Sequence, residues 1–333
     1  MMRGLLVTSV VVVVCAGSVV PAAAEHTPGD EAVSTVFFGD SYTANFGIAP
    51  FHEEIEELLC FRARENYPAV VVRQLAEQGS ALDVASDRSC GGALIEHFWT
   101  GQPLPPTNLT RPPQQEALGT DTELVVGSIG GNTLGFSSIL KQCSQKLRDE
   151  GQLLPGAPFD GAEPAARCAV YFSQGDGKEL LDKLFEKADG ELAELFNQIG
   201  RLSPEAKAVL VGYPRIVPAD IAKCQVPAPG QTEKPLADIQ IDALLVFDKV
   251  QERLNDLMRT KAAEGNAAFV DLYAVTGDHT ACDGDDRGIG GLFELSQVKL
   301  GEQNLPWYLH PNTHGRDLQA QHVTAALQGA LRR

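Results

Sequence analysis

Beyond residue 24 the 333-residue chain has no apolar run long enough to cross a bilayer, which argues against stable membrane insertion. It is also short of positive charge: 27 lysines and arginines stand against 44 aspartates and glutamates, a formal net charge of −17. Nucleic acid and anionic lipid would be repelled by such a chain, so neither is an expected partner. No two cysteines stand at the close spacing of a metal site, and no metal or other cofactor is expected. Internal repeats and low-complexity segments are lacking outside the first two dozen residues. No composition shift marks a second domain.

Those first residues have the three parts of an export signal. Met1-Met2-Arg3 gives a positive start, Leu5 to Val14 an apolar run, and Ala22-Ala23-Ala24 a small-residue cleavage site. Gly17 and Pro21 break the run and make it short for a membrane anchor, so residues 1–24 are read as a cleaved signal and the mature chain as starting near Glu25. Cys15 follows the bulky Val14 and is not a lipidation site. Residues 25–333 are then expected to form a single secreted, soluble, monomeric domain, with 44% hydrophobic residues to build its core. Six cysteines remain in a chain that leaves the reducing cytoplasm: Cys60, Cys90, Cys143, Cys168, Cys224 and Cys282. Fifteen pairings are possible in principle for six cysteines. The cysteines fall into successive pairs that bracket irregular excursions, which favours Cys60–Cys90, Cys143–Cys168 and Cys224–Cys282.

Short apolar runs alternate with amphipathic stretches, the pattern of a parallel sheet covered on both faces by crossover helices. The fold class is therefore α/β, a three-layer α/β/α sandwich around a central parallel sheet of five strands. The strands are placed at Val33 to Phe38, Leu82 to Ala85, Glu123 to Ser128, Ala208 to Gly212 and Ala268 to Leu272. Helices are placed at Ala69 to Gln78, Lys178 to Ile199, Asp238 to Ala263 and Arg316 to Leu331. The third is the clearest, with Ile241, Leu244, Leu245, Val250, Leu254, Leu257 and Met258 forming one apolar stripe. Gly101 to Pro113, Gly151 to Pro164 and Val226 to Pro235 read as surface loops.

Four segments near the ends of these strands carry groups suited to acyl transfer. The first strand runs into Gly39-Asp40-Ser41-Tyr42, which sets Ser41 where open α/β sheets bind ligands. Cys90-Gly91-Gly92-Ala93 follows the second strand, Gly130-Gly131-Asn132-Thr133 the third, and Leu309-His310-Pro311-Asn312 precedes the last helix. A serine hydroxyl needs a base within hydrogen-bond reach, and a histidine suits that task at neutral pH. Glycine lets backbone approach closely, and an asparagine amide donates without a change of protonation. Each segment alone reads as an ordinary turn. Their joint occurrence in this order is the signal.

With these blocks the sequence resembles the SGNH, or GDSL, hydrolase superfamily, in particular secreted actinobacterial esterases and lipases with three disulfides. The resemblance runs through the mature chain and includes Tyr67-Pro68, Gly212-Tyr213-Pro214-Arg215 and Val270-Asp271. It implies that Ser41 is the nucleophile and His310 the base. It implies an oxyanion hole made by the backbone N–H groups of Ser41 and Gly92, with Gly91 as the neighbouring alternative, and by the side-chain amide of Asn132. His314 is a rival base, but the run His-Pro-Asn followed by Gly315 registers the pattern on His310. His26, His52, His97, His279 and His322 read as surface residues.

One departure stands out. The family's aspartate three residues before the histidine is replaced by Trp307. The resemblance implies that the Trp307 backbone carbonyl orients His310 instead, since only Asp317 offers a carboxylate nearby and the following helix should carry it away. Cys282-Asp283-Gly284-Asp285-Asp286 resembles half of a calcium loop but lacks the distal glutamate, so it reads as a solvated acidic turn. The expected activity is ester hydrolysis through an acyl-enzyme on Ser41, with a lipid or small acyl ester as partner. The apolar segments Leu94 to Trp99, Leu134 to Leu140 and Leu305 to Tyr308 favour an acyl pocket. A carbohydrate acetyl esterase is the alternative within the class, and a catalytically silent cell-envelope binding module the alternative outside it.

Overall fold

The structure, a computed structural model, describes residues 32–150 and 164–331. The signal at 1–24, Cys15, His26 and nearly all of the loop at 151–164 lie outside the described residues. Five parallel strands form the main sheet: β1 (Val33–Gly39), β2 (Leu82–Asp87), β3 (Leu124–Ser128), β4 (Lys207–Val211) and β5 (Ala268–Val270). Their order is β2-β1-β3-β4-β5. That is a doubly wound order, with the chain reversing its direction of travel across the sheet between β1 and β3.

Period-2 alternation assigns each strand residue to a layer. Phe37 of β1, Leu124 and Val126 of β3, and Val209 and Val211 of β4 face one side. There they meet Val70, Val71 and Leu75 of α2 (Tyr67–Glu77), together with Ala320, Val323 and Leu327 of the C-terminal helix Thr313–Leu331. Phe38, Val125 and Leu210 face the other side. That side is covered by Leu192, Leu195 and Ile199 of the helix Gly175–Leu202, and by Val250, Leu254 and Met258 of the helix Ile241–Glu264. Fully burying such aliphatic and aromatic side chains is worth about 1.5–3 kcal/mol each, which makes the two apolar layers the main source of stability. At the β1–β3 seam Gly127 permits the close pairing, because a Cβ there would collide with the Phe38 carbonyl and ring.

The expected sheet is present, with strand ends shifted by a few residues. The helices differ mainly at their starts. α2 begins two residues early because Asn66 caps it, its side chain accepting the Ala69 N–H at 3.1 Å, with Pro68 in the first turn. Between β1 and α2 lies α1 (Ser41–Ala44). The helix α3 (Phe136–Cys143) occupies a segment that the sequence offered only as an apolar loop. We number the remaining long helices α4 (Gly175–Leu202), α5 (Ile241–Glu264) and α6 (Thr313–Leu331). An antiparallel hairpin, β6 (Leu295–Leu300) and β7 (Gln303–Pro306), also went unread.

All three expected disulfides are formed, closing Cys60 to Cys90, Cys143 to Cys168 and Cys224 to Cys282 over separations of 30, 25 and 58 residues. On the chain-entropy account loops of this size contribute roughly 3–4 kcal/mol each. Peptide mapping without reduction should therefore recover these three pairs, and reduction should lower the melting temperature. Free thiols in the folded protein, or any crossed pair, would contradict the structure.

Candidate active site

The site is built on the carboxyl ends of neighbouring strands, beside the point where the strand order reverses. β1 ends at Gly39, and Asp40 caps α1 by accepting the Tyr42 N–H at 2.9 Å, which leaves Ser41 at the first helical position. Gly39 is required there: its φ is +141°, and a Cβ would collide with Thr43 and the Ser128 carbonyl. Buried Gln114 holds this corner in both directions, accepting the Gly39 N–H at 2.8 Å and donating to the Gly39 carbonyl at 3.0 Å. Asn45, with a φ of 51°, closes α1 and ties it to both outer helices. It accepts the Tyr67 N–H at 2.5 Å and donates to Gln319 at 2.9 Å.

Ser41 Oγ lies 2.7 Å from His310 Nε2. The other ring nitrogen, Nδ1, lies 2.9 Å from the Trp307 carbonyl oxygen and 3.2 Å from that of Tyr308. Carbonyls only accept, so Nδ1 carries the proton and Nε2 is left as an acceptor for the serine hydroxyl. The turn that makes this possible is unusual. Tyr308 and Leu309 both have positive φ, 48° and 63°, in the left-handed region that residues other than glycine rarely occupy. It is held by Tyr42, whose hydroxyl donates to the Leu309 carbonyl at 2.8 Å, and by Gly290, whose N–H donates to the His310 carbonyl at 3.0 Å. The Trp307 ring is wedged between Gly47 and Gly290, where a Cβ on either glycine would overlap it.

Burial pushes the His310 imidazole down to about 4, with the two carbonyl hydrogen bonds pulling weakly the other way. The Tyr42 ring lies 4.9 Å from the imidazole at 35°, and the Phe46 ring lies at the same distance. Asp40 is shifted in the opposite sense: burial raises its carboxyl to about 7 against hydrogen bonds from Tyr213 and the Tyr42 amide. Burial thus favours the uncharged form of each group.

The two glycine blocks converge on the same corner. The Cys90 N–H donates to the Gly39 carbonyl at 3.0 Å, bringing the second block beside the first. Gly91 gives its N–H to Cys60 at 2.8 Å, whereas neither the Gly92 nor the Ser41 N–H donates to another described residue. Gly92 has a φ of 75°. Asn132 donates to the Ala93 carbonyl at 3.1 Å, which holds the third block against the second. Ser41, Gly92, Asn132 and His310 are all partly exposed, while Asp40, Tyr42 and Tyr213 behind them are buried.

Other expected residues lie elsewhere. His314 is exposed on α6, its Nε2 3.4 Å from His279 Nδ1, whereas the serine is paired with His310. Asp317 pairs with Arg316, Asp271 with Arg259, and Asp283 with Lys223 and Thr280. His97 is not a plain surface residue: its ring is half-buried and Nδ1 accepts the Leu94 N–H at 3.0 Å. His52, His279 and His322 are also partly buried. The apolar segments once read as a pocket wall are largely core, since Ile95, Phe98, Leu134 and Ile139 are fully buried. The supporting tyrosines, Tyr42 and Tyr213, were not anticipated. Their position two or three residues beyond strand ends was the available signal.

This sheet order, with a serine and an imidazole paired at its switch point, is that of a three-layer α/β/α hydrolase. The profile of the GDSL-like Lipase/Acylhydrolase family matches residues 37–318. An esterase of Streptomyces scabiei is 56% identical over 332 residues, covering 99% of this chain and 96% of that protein. Lipase 2 of Streptomyces coelicolor is 29% identical over 92% of this chain and 88% of its own length. The crystal structure of phospholipase A1 from Streptomyces albidoflavus NA297 shares the fold with a TM-score of 0.58 and 21% identity, over 89% of this chain and 99% of that one. The chain belongs to the GDSL-like lipase/acylhydrolase family and is a hydrolase.

The lowered His310 value fixes the sign of one pH effect. Above about 6.5 the ring is neutral in both folded and unfolded chains, and between 6.5 and 4 only the unfolded chain takes up the proton, so this histidine costs stability as pH falls through that window. Asp40 works against it, because between 3.8 and about 7 only the unfolded chain gives up the proton, and stability is lost as pH rises. NMR titration of the His310 ring should find a neutral Nδ1–H tautomer at pH 7 and at pH 5, with protonation setting in toward 4. A midpoint at or above 6.5 would contradict the site as described.

Proposed function

We propose that this protein hydrolyses carboxylic esters through an acyl-enzyme on Ser41. The observation that carries the proposal is the 2.7 Å contact between Ser41 Oγ and His310 Nε2, with Nδ1 turned to main-chain carbonyls. Ser41 Oγ attacks the ester carbonyl as its proton passes to Nε2. The carbonyl π electrons move onto oxygen, and that charge meets the N–H groups of Ser41 and Gly92 and the Asn132 amide. The intermediate then collapses, and the leaving alkoxide takes the proton from His310. Water repeats the sequence on the acyl-enzyme, releasing the acid and restoring the serine.

The neutral imidazole is the form that can accept a proton, and its burial keeps it in that form through the neutral range. Removal of one oxyanion donor costs about 10²–10³ in kcat in other hydrolases, which sets the scale for Asn132→Ala. The relatives named esterase and lipase support the ester substrate. For location, we propose a Sec-exported protein with residues 1–24 removed and a single catalytic domain at 25–333, working as a monomer. Three disulfides support an oxidising compartment. Among the described residues no helix is long and apolar enough to cross a membrane.

Ser41→Ala and His310→Ala should each remove nearly all hydrolysis of a short-chain chromogenic ester, and His314→Ala should leave it largely intact. A fluorophosphonate probe should label the wild-type protein on Ser41. An unlabelled Ser41 in folded protein would favour a silent binding module, and loss of activity in His314→Ala with retention in His310→Ala would reverse the base assignment. Activity across acyl-chain lengths, phospholipid and acetylated xylan separates a lipase from a carbohydrate deacetylase.

A further inference from the structure

We propose that Tyr213 is a positioning residue for the oxyanion side of the site: its buried hydroxyl joins the residue before the nucleophile to the residue before the asparagine donor. This rests on the roles given above to Ser41 and Asn132. The hydroxyl donates to Asp40 Oδ2 at 2.5 Å and accepts the Gly131 N–H at 2.8 Å. Asp40 precedes Ser41 and Gly131 precedes Asn132, so one oxygen sets the spacing between attacking group and charge-stabilising amide.

The phenol can serve as a spacer because it is itself held at both ends. Tyr213 follows the carboxyl end of β4, and its N–H is accepted by Asn255 of α5 at 2.8 Å. Gln251, one turn earlier on α5, donates to the Pro214 carbonyl at 2.7 Å and accepts the Ile216 N–H at 3.0 Å. The Tyr213 ring stands edge-on to Tyr42, centroids 5.0 Å apart at 83°, and only 4% of the residue is exposed. Asp40 is equally enclosed, and its second oxygen accepts the Tyr42 N–H.

The loop being positioned needs such a restraint. Gly130 has a φ of 139° and Gly131 follows it, so two adjacent residues bring little conformational preference of their own. Asn132 and Thr133 tie the loop to the second block, through the Ala93 carbonyl and the Ile95 N–H. The Tyr213 hydroxyl ties it to the nucleophile. Without that oxygen the Gly131 N–H loses its acceptor and Asp40 loses a donor. The Asn132 amide is then free to drift from the place where the oxyanion forms, and small displacements of such donors are costly to the rate.

A merely structural tyrosine would make a different prediction, and a mutant cycle separates the two. Steady-state kinetics on a short-chain chromogenic ester should show Tyr213→Phe lowering kcat by about 10- to 100-fold with KM nearly unchanged, a loss confined to the transition state. In an Asn132→Ala background the same change should lower kcat by less than about threefold, because the group it positions is already gone. Wild-type kcat in Tyr213→Phe, or losses that multiply in full with those of Asn132→Ala, would overturn the proposal while leaving the serine–histidine reading intact. Asn132→Ala with wild-type kcat would remove the oxyanion assignment and this proposal with it. Should Tyr213→Phe fail to fold, Asn255→Ala is the second variant, because it removes the acceptor of the Tyr213 N–H without touching the partners of the hydroxyl. It should lower kcat with KM nearly unchanged and lose most of that effect in the Asn132→Ala background, and full multiplication would again overturn the proposal.

Discussion

The hydrogen bond from His310 Nδ1 to the Trp307 carbonyl is the contact on which the site turns. An imidazole has two nitrogens, and the identity of the acceptor at one decides what the other can do. Here that acceptor is main chain. It carries no formal charge, so it orients the ring while favouring the protonated form less than burial disfavours it, and burial dominates the ring's titration. The consequence is an imidazole that stays neutral, with its proton on Nδ1, across the neutral range. The conformation behind it is costly: left-handed backbone at non-glycine residues is worth of order 1–3 kcal/mol of strain each, and Tyr308 and Leu309 are consecutive. The Tyr42 hydroxyl, the Gly290 N–H and the enclosed Trp307 ring are the contacts that offset it.

Rigidity behind the site and access in front of it come from the same topology. Parallel strands present their carboxyl ends together, so blocks far apart in sequence emerge side by side at the switch point. Behind the partly exposed Ser41, Gly92, Asn132 and His310 stands a buried polar layer of Asp40, Tyr42, Gln114 and Tyr213, each bonded across block boundaries. Buried networks are favourable when their members are satisfied, and this one converts the stability of the sheet into fixed positions for the groups at the surface. The Cys60–Cys90 disulfide serves the same end at the second block, since Cys60 also accepts the Gly91 N–H.

Much of this was legible in the residues, for identifiable reasons. The strands declared themselves because each is a short apolar run, and the α5 stripe because its period is helical. The four blocks were legible because their chemistry is local: a strand end, a turn and one reactive side chain. What escaped was either disguised or distant. The segment that forms α3 reads as a loop because Gly130, Gly131 and Gly135 precede it, yet its Ile139 and Leu140 are buried in the core. β6 and β7 are joined at Gly301, and their alternation was masked by neighbouring apolar residues. The role of Tyr213 lay beyond sequence reading because its partners are 82 and 173 residues away. His97 looked like a surface histidine because nothing in its neighbourhood reveals that Leu94 needs an acceptor.

Main chain, not a carboxylate, orients the His310 imidazole. Asp271, Asp283, Asp285, Asp286 and Asp317 can each be replaced by Asn and kcat measured on a short-chain ester with folding checked in parallel. In a well-studied serine protease, neutralising the acid of the triad lowers kcat by about 10⁴ through the wrong histidine tautomer. All five variants should stay within a few-fold of the wild type. A single folded variant that falls by three or four orders of magnitude would contradict it and identify the missing acid.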